Sequence, residues 1–327
     1  MEYFVRMIKF PFFESLKQKT YRIRHLQEYT QSLSFMKQRY ELIHKIAPFT
    51  WLDDRYFLEY IFYKKMKYPL NLREPKTFNE KINWIKLYDR NPLYIQLADK
   101  SLVREYVEKR IGKDYLNEIL GIYDSPFDIP WETLPDKFVI KTTHGSGWNI
   151  RCTNKLDLDI QISIQKLTKW LNTNYYKITR EWQYKNIKPR ILIEKYIQGD
   201  AELDLVDYKF FCKNGTPQMI QTDIDRHSNH TRALFDTDWH QLPFSFHYPT
   251  TKKVVPRPRN FEQMLQIAKN LTNNFHFCRV DLYNNDGNII FGEMTFTPEN
   301  GFANFTPKEY DLILGNLIDL NSKLLKR

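Results

Sequence analysis

Arg279, Asp281, Glu293 and Thr295 are the residues of this 327-residue sequence whose types and spacing most clearly promise chemistry. They fall in the run Cys278-Arg279-Val280-Asp281-Leu282-Tyr283-Asn284-Asn285-Asp286-Gly287-Asn288-Ile289-Ile290-Phe291-Gly292-Glu293-Met294-Thr295, which reads as two strands joined at Asn-Asp-Gly. Asn and Gly readily supply the positive φ of a tight hairpin. Side chains alternate along a strand, so Arg279 shares a face with Asp281, and Glu293 with Thr295. A turn of about three or five residues would set Asp281 and Glu293 on one side of the hairpin. Two carboxylates held together repel, and burying them uncompensated is costly, so a cation is their natural partner. Mg²⁺ suits the pair because it takes one or two carboxylates and fills its other positions with water and phosphate oxygens. Neutralising either acid is then expected to relieve repulsion and raise stability. The bland alternative is an edge hairpin with solvated charges. Arg279 either pairs structurally with Asp281 or offers a fixed cation to negative charge developing on a substrate carbonyl.

A second segment bears on that choice. Lys137-Phe138-Val139-Ile140-Lys141 reads as a strand entering Thr142-Thr143-His144-Gly145-Ser146-Gly147-Trp148-Asn149, and Ile150-Arg151-Cys152 resumes strand character. A Gly-x-Gly loop lets backbone amides approach phosphate oxygens closely, and Lys141 can aim its ammonium at the same oxygens. An ordinary hairpin has the same composition. It is neither a P-loop nor a dinucleotide-binding turn, because Gly-x(4)-Gly-Lys-Ser/Thr is absent and the loop leads into a strand.

In chain order, four pieces resemble one family. Asp99-Lys100 opens a helix; the Lys141 strand and its glycine loop follow, then the strand Ile191 to Ile197, then the Asp281/Glu293 hairpin. This succession is similar to the ATP-grasp superfamily, and in particular to its TupA-like branch, typified by the teichuronopeptide-biosynthesis protein. The likeness is closest at Phe138 to Gly147, at Asp207 to Gly215 and at Arg279 through Phe296, and it covers roughly residues 70 to 305. It implies an α+β ATP-grasp fold, with two antiparallel-sheet lobes holding ATP between them. It further implies that Lys100 and Lys141 contact the phosphates and that the loop of His144, Gly145, Ser146 and Gly147 closes over the nucleotide. Glu194 would accept from the adenine amine, with Tyr196 and Ile197 supplying further contacts, and Glu202 or Asp204 would hold the ribose. Asp281 and Glu293 correspond to the Mg²⁺ ligands. Thr295 stands where the superfamily often has Asn, which leaves one or two metal ions open. Lys209 is expected, on the resemblance, to point into the cleft as a catalytic residue together with Arg279, the alternative being solvent.

Bulk properties exclude several classes. No apolar run approaches the ~20 residues of a membrane span, and Glu2, Arg6, Lys9 and Pro11 break any signal-peptide core. Cys152, Cys212 and Cys278 show no paired framework, so a reducing cytoplasm is expected. The net charge of +10 and the 16% aromatic content raise nucleic-acid binding, but no such motif occurs. Attraction to anionic substrates fits better. The segment Met1 to Tyr40 mixes Phe4, Phe10, Phe12 and Phe13 with basic residues, so it either lies in a membrane interface or folds onto the body as ordinary helices. His227, His230, His240 and His247 lack metal-ligand spacing and are expected in surface or core roles.

The elements that position these residues can be outlined. Residues 1–68 read as a helical extension, 69–135 as the first part of the body, 136–197 as a small clamping lobe and 198–327 as the lobe with the metal site. Thr77-Phe78-Asn79-Glu80 is a capping-box signature, and Gly112 is a C-cap for the helix from Lys100. Ile160, Ile164, Leu167 and Leu171 mark a helix, and Asn214-Gly215 a hairpin. Asn260 is expected to cap a helix to about Asn273, and Lys308 to Leu325 to close the chain as another.

The function these expectations favour is an ATP- and Mg²⁺-dependent carboxylate–amine ligase acting through an acyl phosphate. The branch resembled implies a uronic acid of a cell-surface polysaccharide or its precursor as the acid, and an amino acid or small amine as partner. A sugar kinase is the alternative. A glycosyltransferase ranks lower, since Asp157-Leu158-Asp159, Asp223-Ile224-Asp225 and Asp236-Thr237-Asp238 match only a three-residue pattern. A nucleotide-binding scaffold without activity conflicts with intact Lys141, Asp281 and Glu293. The expected location is the cytoplasm or the inner face of the cell membrane.

Overall fold

The computed structural model describes residues 53–199, 205–226, 229–285 and 287–320. The segment to Asn71 forms one unit and the chain from Leu72 another. In the first, helix α1 (Asp54–Met66) starts where the Asp53 carboxylate accepts from the Arg55 amide, and ends at Lys67 in the left-handed conformation. Met1 to Tyr40 lies outside the described residues. No described helix is long and apolar enough to cross a membrane.

In the second unit, α2 (Phe78–Tyr88) carries the full capping box, with Thr77 bonding the Glu80 amide and Glu80 bonding back. Short α3 (Leu93–Ala98) and α4 (Val103–Ile111) follow, and Gly112 ends α4 at φ +102°. A four-stranded antiparallel sheet comes next, built from β1 (Ile119–Tyr123), β2 (Phe138–Thr142) and β3 (Asn149–Cys152), with α5 (Ile160–Leu171) and α6 (Tyr175–Thr179) preceding β4 (Ile191–Lys195). Its order is β1-β4-β2-β3, so β1 joins the sheet from ahead of residue 136. Phe138, Ile140, Ile191, Ile193 and Leu167 form its core. Alternation therefore leaves Val139 and Lys141 on the opposite face.

A five-stranded antiparallel sheet, ordered β10-β9-β5-β6-β7, fills the C-terminal part. Its first strands are β5 (Asp207–Lys213), β6 (Thr216–Ile224) and β7 (Thr231–Phe235), with Asn214 and Gly215 both at positive φ in the expected hairpin. A two-residue strand, β8 (Ser245–Phe246), leads toward α7 (Phe261–Thr272), and β9 (Phe277–Asn285) and β10 (Asn288–Thr295) complete the sheet. One face buries Phe210, Ile220, Val280 and Leu282 with Met264 and Ala268 of α7 and Val107 of α4. Asn260 holds the N-cap position of α7 but gives no capping bond. Its side chain is used instead on Asn284 and the Gly287 carbonyl, tying the helix start to the β9–β10 turn.

The β9–β10 hairpin is built differently from the expectation. Asn285 pairs with Asn288, so the loop spans two residues and not three or five. A two-residue loop alone would put Glu293 on the face of Ile289 and Phe291. A bulge between Phe291 and Glu293 shifts the register by one, so Glu293 pairs with Asp281 and Thr295 with Arg279. The extra residue is Gly292, where a Cβ would sit 3.0 Å from the Asp281 carbonyl oxygen.

Beyond the sheet, β11 (Phe305–Thr306) pairs with β8, and α8 (Glu309–Gly315) follows. This helix ends at Gly315 and does not reach Leu325. The chain passes so close to α2 there that a Cβ on Gly315 would meet the Lys76 carbonyl at 2.0 Å. The terminal carbonyls of Gly315 and Ile318 accept instead from the Lys81 ammonium at 2.8 and 2.9 Å. Along α2, Asn79, Asn83 and Lys86 are buried and bond Ala303, Gly301 and Asn300, which pins the 299–303 segment.

Candidate nucleotide and metal site

The free faces of the two sheets border one cleft of about 420 Å³. On the smaller sheet Lys141 pairs with Leu192, two residues from Glu194, which makes Lys141 and Glu194 diagonal neighbours on the cleft face. Their ammonium and carboxylate meet at 2.6 Å, and Arg104 approaches the other Glu194 oxygen at 3.5 Å. The β2–β3 loop arches over this wall. Gly147 takes φ +75°, and a Cβ on Gly145 would strike the Trp148 ring at 2.7 Å, so both positions need glycine. The Lys100 ammonium donates to the Gly145 carbonyl, fastening the loop to the start of α4. Burial pushes the Lys100 ammonium down, while the Glu293 charge opposes that effect.

The larger sheet presents an ionised face. Asp281 pairs with both Glu293 and Lys209 in register, and Lys209 pairs with Gln221; Asp207 lies opposite Asp223, and Asp223 opposite Arg232. Arg279 clasps Asp281 through two bonds of 2.7 and 2.8 Å, and reaches Glu293 at 3.0 Å and the Thr295 hydroxyl at 3.1 Å. Those bonds use its Nε and Nη2, and Nη1 has no hydrogen-bond partner among the described residues. Lys209 lies 2.5 Å from Asp281 and also binds Asp207. Burial alone would raise the Glu293 carboxyl, but Arg279, Lys209 and Lys100 hold it at about 2. Burial likewise opposes ionisation of Asp223, and His230, Lys209 and Arg232 overcome it and hold that carboxyl well below its ordinary range. For Lys209 the burial is outweighed by Asp207 and Asp281, which keep it charged.

The donor set fits Mg²⁺ with phosphate. Asp281 and Glu293 are a cross-strand carboxylate pair beside the Thr295 hydroxyl, and Glu293 keeps 38% of its side chain accessible. A hard cation wants such oxygens, completed by phosphate and water. Lys100, Lys141 and the glycine loop stand on the opposite wall, with the charge and the backbone approach that phosphate oxygens require.

The sequence profile of the TupA-like ATP-grasp family matches residues 80–319. The chain belongs to that family. Its two antiparallel sheets are the ATP-grasp fold expected from the sequence, and ATP-grasp ligases use ATP with Mg²⁺. No curated protein matches the chain. Similar solved structures include a D-alanine–D-alanine ligase from Bacillus anthracis complexed with ATP, at 14% identity and TM-score 0.36, covering 62% of this chain and 54% of that one. The chain thus spans about half the length of that relative. A RimK-domain ATP-grasp protein from Sphaerobacter thermophilus is 7% identical, with TM-score 0.37 and 71% and 70% of the two chains covered. D-cycloserine synthetase DcsG is 13% identical, with TM-score 0.37 and coverage of 69% and 70%. The family assignment rests on the profile.

Of the site residues named from the TupA-like sequence, Lys100, Lys141, Ser146, Gly147, Glu194, Lys209, Arg279, Asp281, Glu293 and Thr295 all line the cleft. Four others do not. His144 is buried beneath the loop, where Nε2–H donates to the Trp170 carbonyl at 3.0 Å; Gly145 receives Lys100; Tyr196 bonds Arg151, and Ile197 is half-buried beyond β4. Glu202 and Asp204 lie outside the described residues, as does His227. His230 takes neither a surface nor a core role: it lines the cleft 3.3 Å from Asp223, its ring 3.8 Å from that of Tyr248. Sequence reasoning missed Asp207, Asp223, Arg232 and Glu181. The alternation Asp207-Tyr208-Lys209 signalled the first, since a charge two residues from Lys209 must share its face. Asp223 stood in sight only as part of a three-residue match; its companion Asp225 turns away to Lys253.

Proposed function

We propose that this ATP-grasp protein is a carboxylate–amine ligase, which activates an acid as its acyl phosphate and joins it to an amine. The observation that carries the reading is the Arg279 arrangement: one guanidinium organises Asp281, Glu293 and Thr295 and keeps Nη1 for a further oxygen. Phosphoryl transfer needs positioning and charge stabilisation more than covalent help from the protein. Lys100 and Lys141 bind phosphate oxygens from one wall, and in that state Lys141 exchanges part of its contact with Glu194 for the nucleotide. Asp281 and Glu293 are the residues that would hold Mg²⁺ on the other wall, where the ion would supply positive charge to neutralise and orient those oxygens. Lys209, in contact with Asp281, holds that carboxylate in place. Arg279 Nη1 then donates to the oxygen that gains charge as the amine adds to the activated carbonyl.

The acid is proposed to be a uronic acid of a cell-surface polysaccharide or its precursor, and the amine an amino acid or small amine. Support comes from the resemblance to the teichuronopeptide branch and from the chain's net charge of +10, which favours anionic substrates. The protein is incubated with ATP, Mg²⁺ and a uronate-bearing glycan, with and without an amine pool and with hydroxylamine as a trap. Amine-dependent amide and a hydroxamate are the expected products. An acid-stable phosphosugar formed without amine would replace the ligase reading by a kinase.

A further inference from the structure

The acids that line the cleft are almost all tied to cations, which makes the exception informative. Asp207, Asp223, Asp281, Glu194, Glu293 and Glu299 each lie in an ion pair. Glu181 lines the same cleft and is 6% exposed, yet it makes no ion pair among the described residues. One carboxylate oxygen accepts from the Thr297 hydroxyl, which itself accepts from the Gln183 amide at 2.8 Å. Its neighbours on the wall are phenols, Tyr175 and Tyr184, with ring centroids 4.9 Å apart. Thr297 is two residues beyond Thr295, and the Glu293 charge acts on this carboxyl, which places it near the proposed metal residues.

A buried carboxylate with no cation in ion-pair contact is costly, Lys86 acting on Glu181 only from beyond that distance, and a ligand that brings the positive charge into contact removes that cost. An ammonium supplies both the charge and three N–H donors. Resting on the ligase reading above, we propose that Glu181 seats the ammonium of the amine substrate and takes the proton that its nitrogen must lose before attack. The step balances. One N–H proton passes to the Glu181 carboxylate, and the freed lone pair forms the C–N bond. The C–O bond to phosphate then breaks with its electron pair, and the second proton leaves with the phosphate. Burial holds the Glu181 carboxyl above the usual range, against the pull of Lys86, which makes it a stronger base than a surface carboxylate.

The test compares wild type, Glu181→Gln and Glu181→Asp for Mg·ATP binding by calorimetry, for amide formation with glycine or ethanolamine, and for hydroxamate formation. Hydroxylamine is already unprotonated at neutral pH and needs no base. Glu181→Gln is expected to bind Mg·ATP and form hydroxamate, while amide formation falls by about 10²–10⁴-fold with a higher KM for the amine. Glu181→Asp should recover part of the loss. Amide formation at the wild-type rate in Glu181→Gln, or loss of its Mg·ATP binding, overturns the proposal and leaves Glu181 a structural partner of Thr297. Absence of hydroxamate from the wild type overturns the ligase reading itself, a separate failure.

Discussion

The two faces of the five-stranded sheet are made by the same strands, residue by residue in alternation, and they solve opposite problems. Phe210, Val280 and Leu282 face α7 and bury hydrocarbon; Lys209, Arg279 and Asp281 stand one residue away and bury charge. On the first face burial itself stabilises, at roughly 25 cal/mol per Å² of apolar area. On the second, burial opposes the charges, and ion pairing within and between strands offsets it. The apolar face makes the sheet stable, and that stability allows the ionised face to keep charges at fixed distances. Stability and chemistry are thus divided by the period of a strand.

The largest effect is expected at Asp281, where both roles meet. Asp281→Asn leaves Arg279 and Lys209 without their shared carboxylate. It should abolish ADP formation and destabilise the fold by about 3–5 kcal/mol, read from denaturant melts. The sequence alone suggested relief of repulsion and a gain in stability. The geometry reverses that sign, because Asp281 sits between two cations. A more stable Asp281→Asn would mean that the observed pairing contributes nothing.

Phe210→Ala is the matching change on the other face. It should cost about 3–5 kcal/mol, with activity per folded molecule preserved. Collapse of that specific activity would show that the two faces are not separable. Arg279→Lys keeps the charge and loses the fork, so amide formation should drop by about 10²–10³-fold while partial ATP cleavage persists. Lys141→Ala should weaken Mg·ATP binding by about 1.5–3 kcal/mol, the worth of a charged hydrogen bond, with little change in melting temperature. Unaltered affinity by calorimetry would remove Lys141 from the nucleotide wall.

The smallest effect is a pH dependence with two opposite signs. Glu293 is held at about 2 when folded, below its ordinary 4.5, so the unfolded chain binds more protons and the stability it contributes is lost as pH falls toward 2. Glu181 is raised by burial, so the folded state holds its proton longer and stability is lost as pH rises above 4.5. Glu293→Gln should flatten the acid limb of a melting-temperature profile, and Glu181→Gln should lift the neutral limb. Identical profiles in all three proteins would show that neither carboxyl is coupled to folding.

Local signals in the sequence determined a good deal. The capping box at Thr77, the Gly112 stop, the Asn214-Gly215 hairpin and the period-2 charges Arg279 and Asp281 of β9 each depend on a few neighbouring residues, and each was legible. The glycine loop, the paired carboxylates and their family resemblance were legible for the same reason. Only the tertiary structure decided the rest. Register in β10 hinged on a bulge at Gly292, which sequence periodicity does not announce. The partners of Lys209, Asp223 and Glu181 come from strands and loops far apart in the chain, as does the helix end at Gly315 against Lys76. Whether a charged side chain is solvated, paired or left waiting for a ligand depends on what stands across from it, and that is settled by packing, not by spacing along the chain.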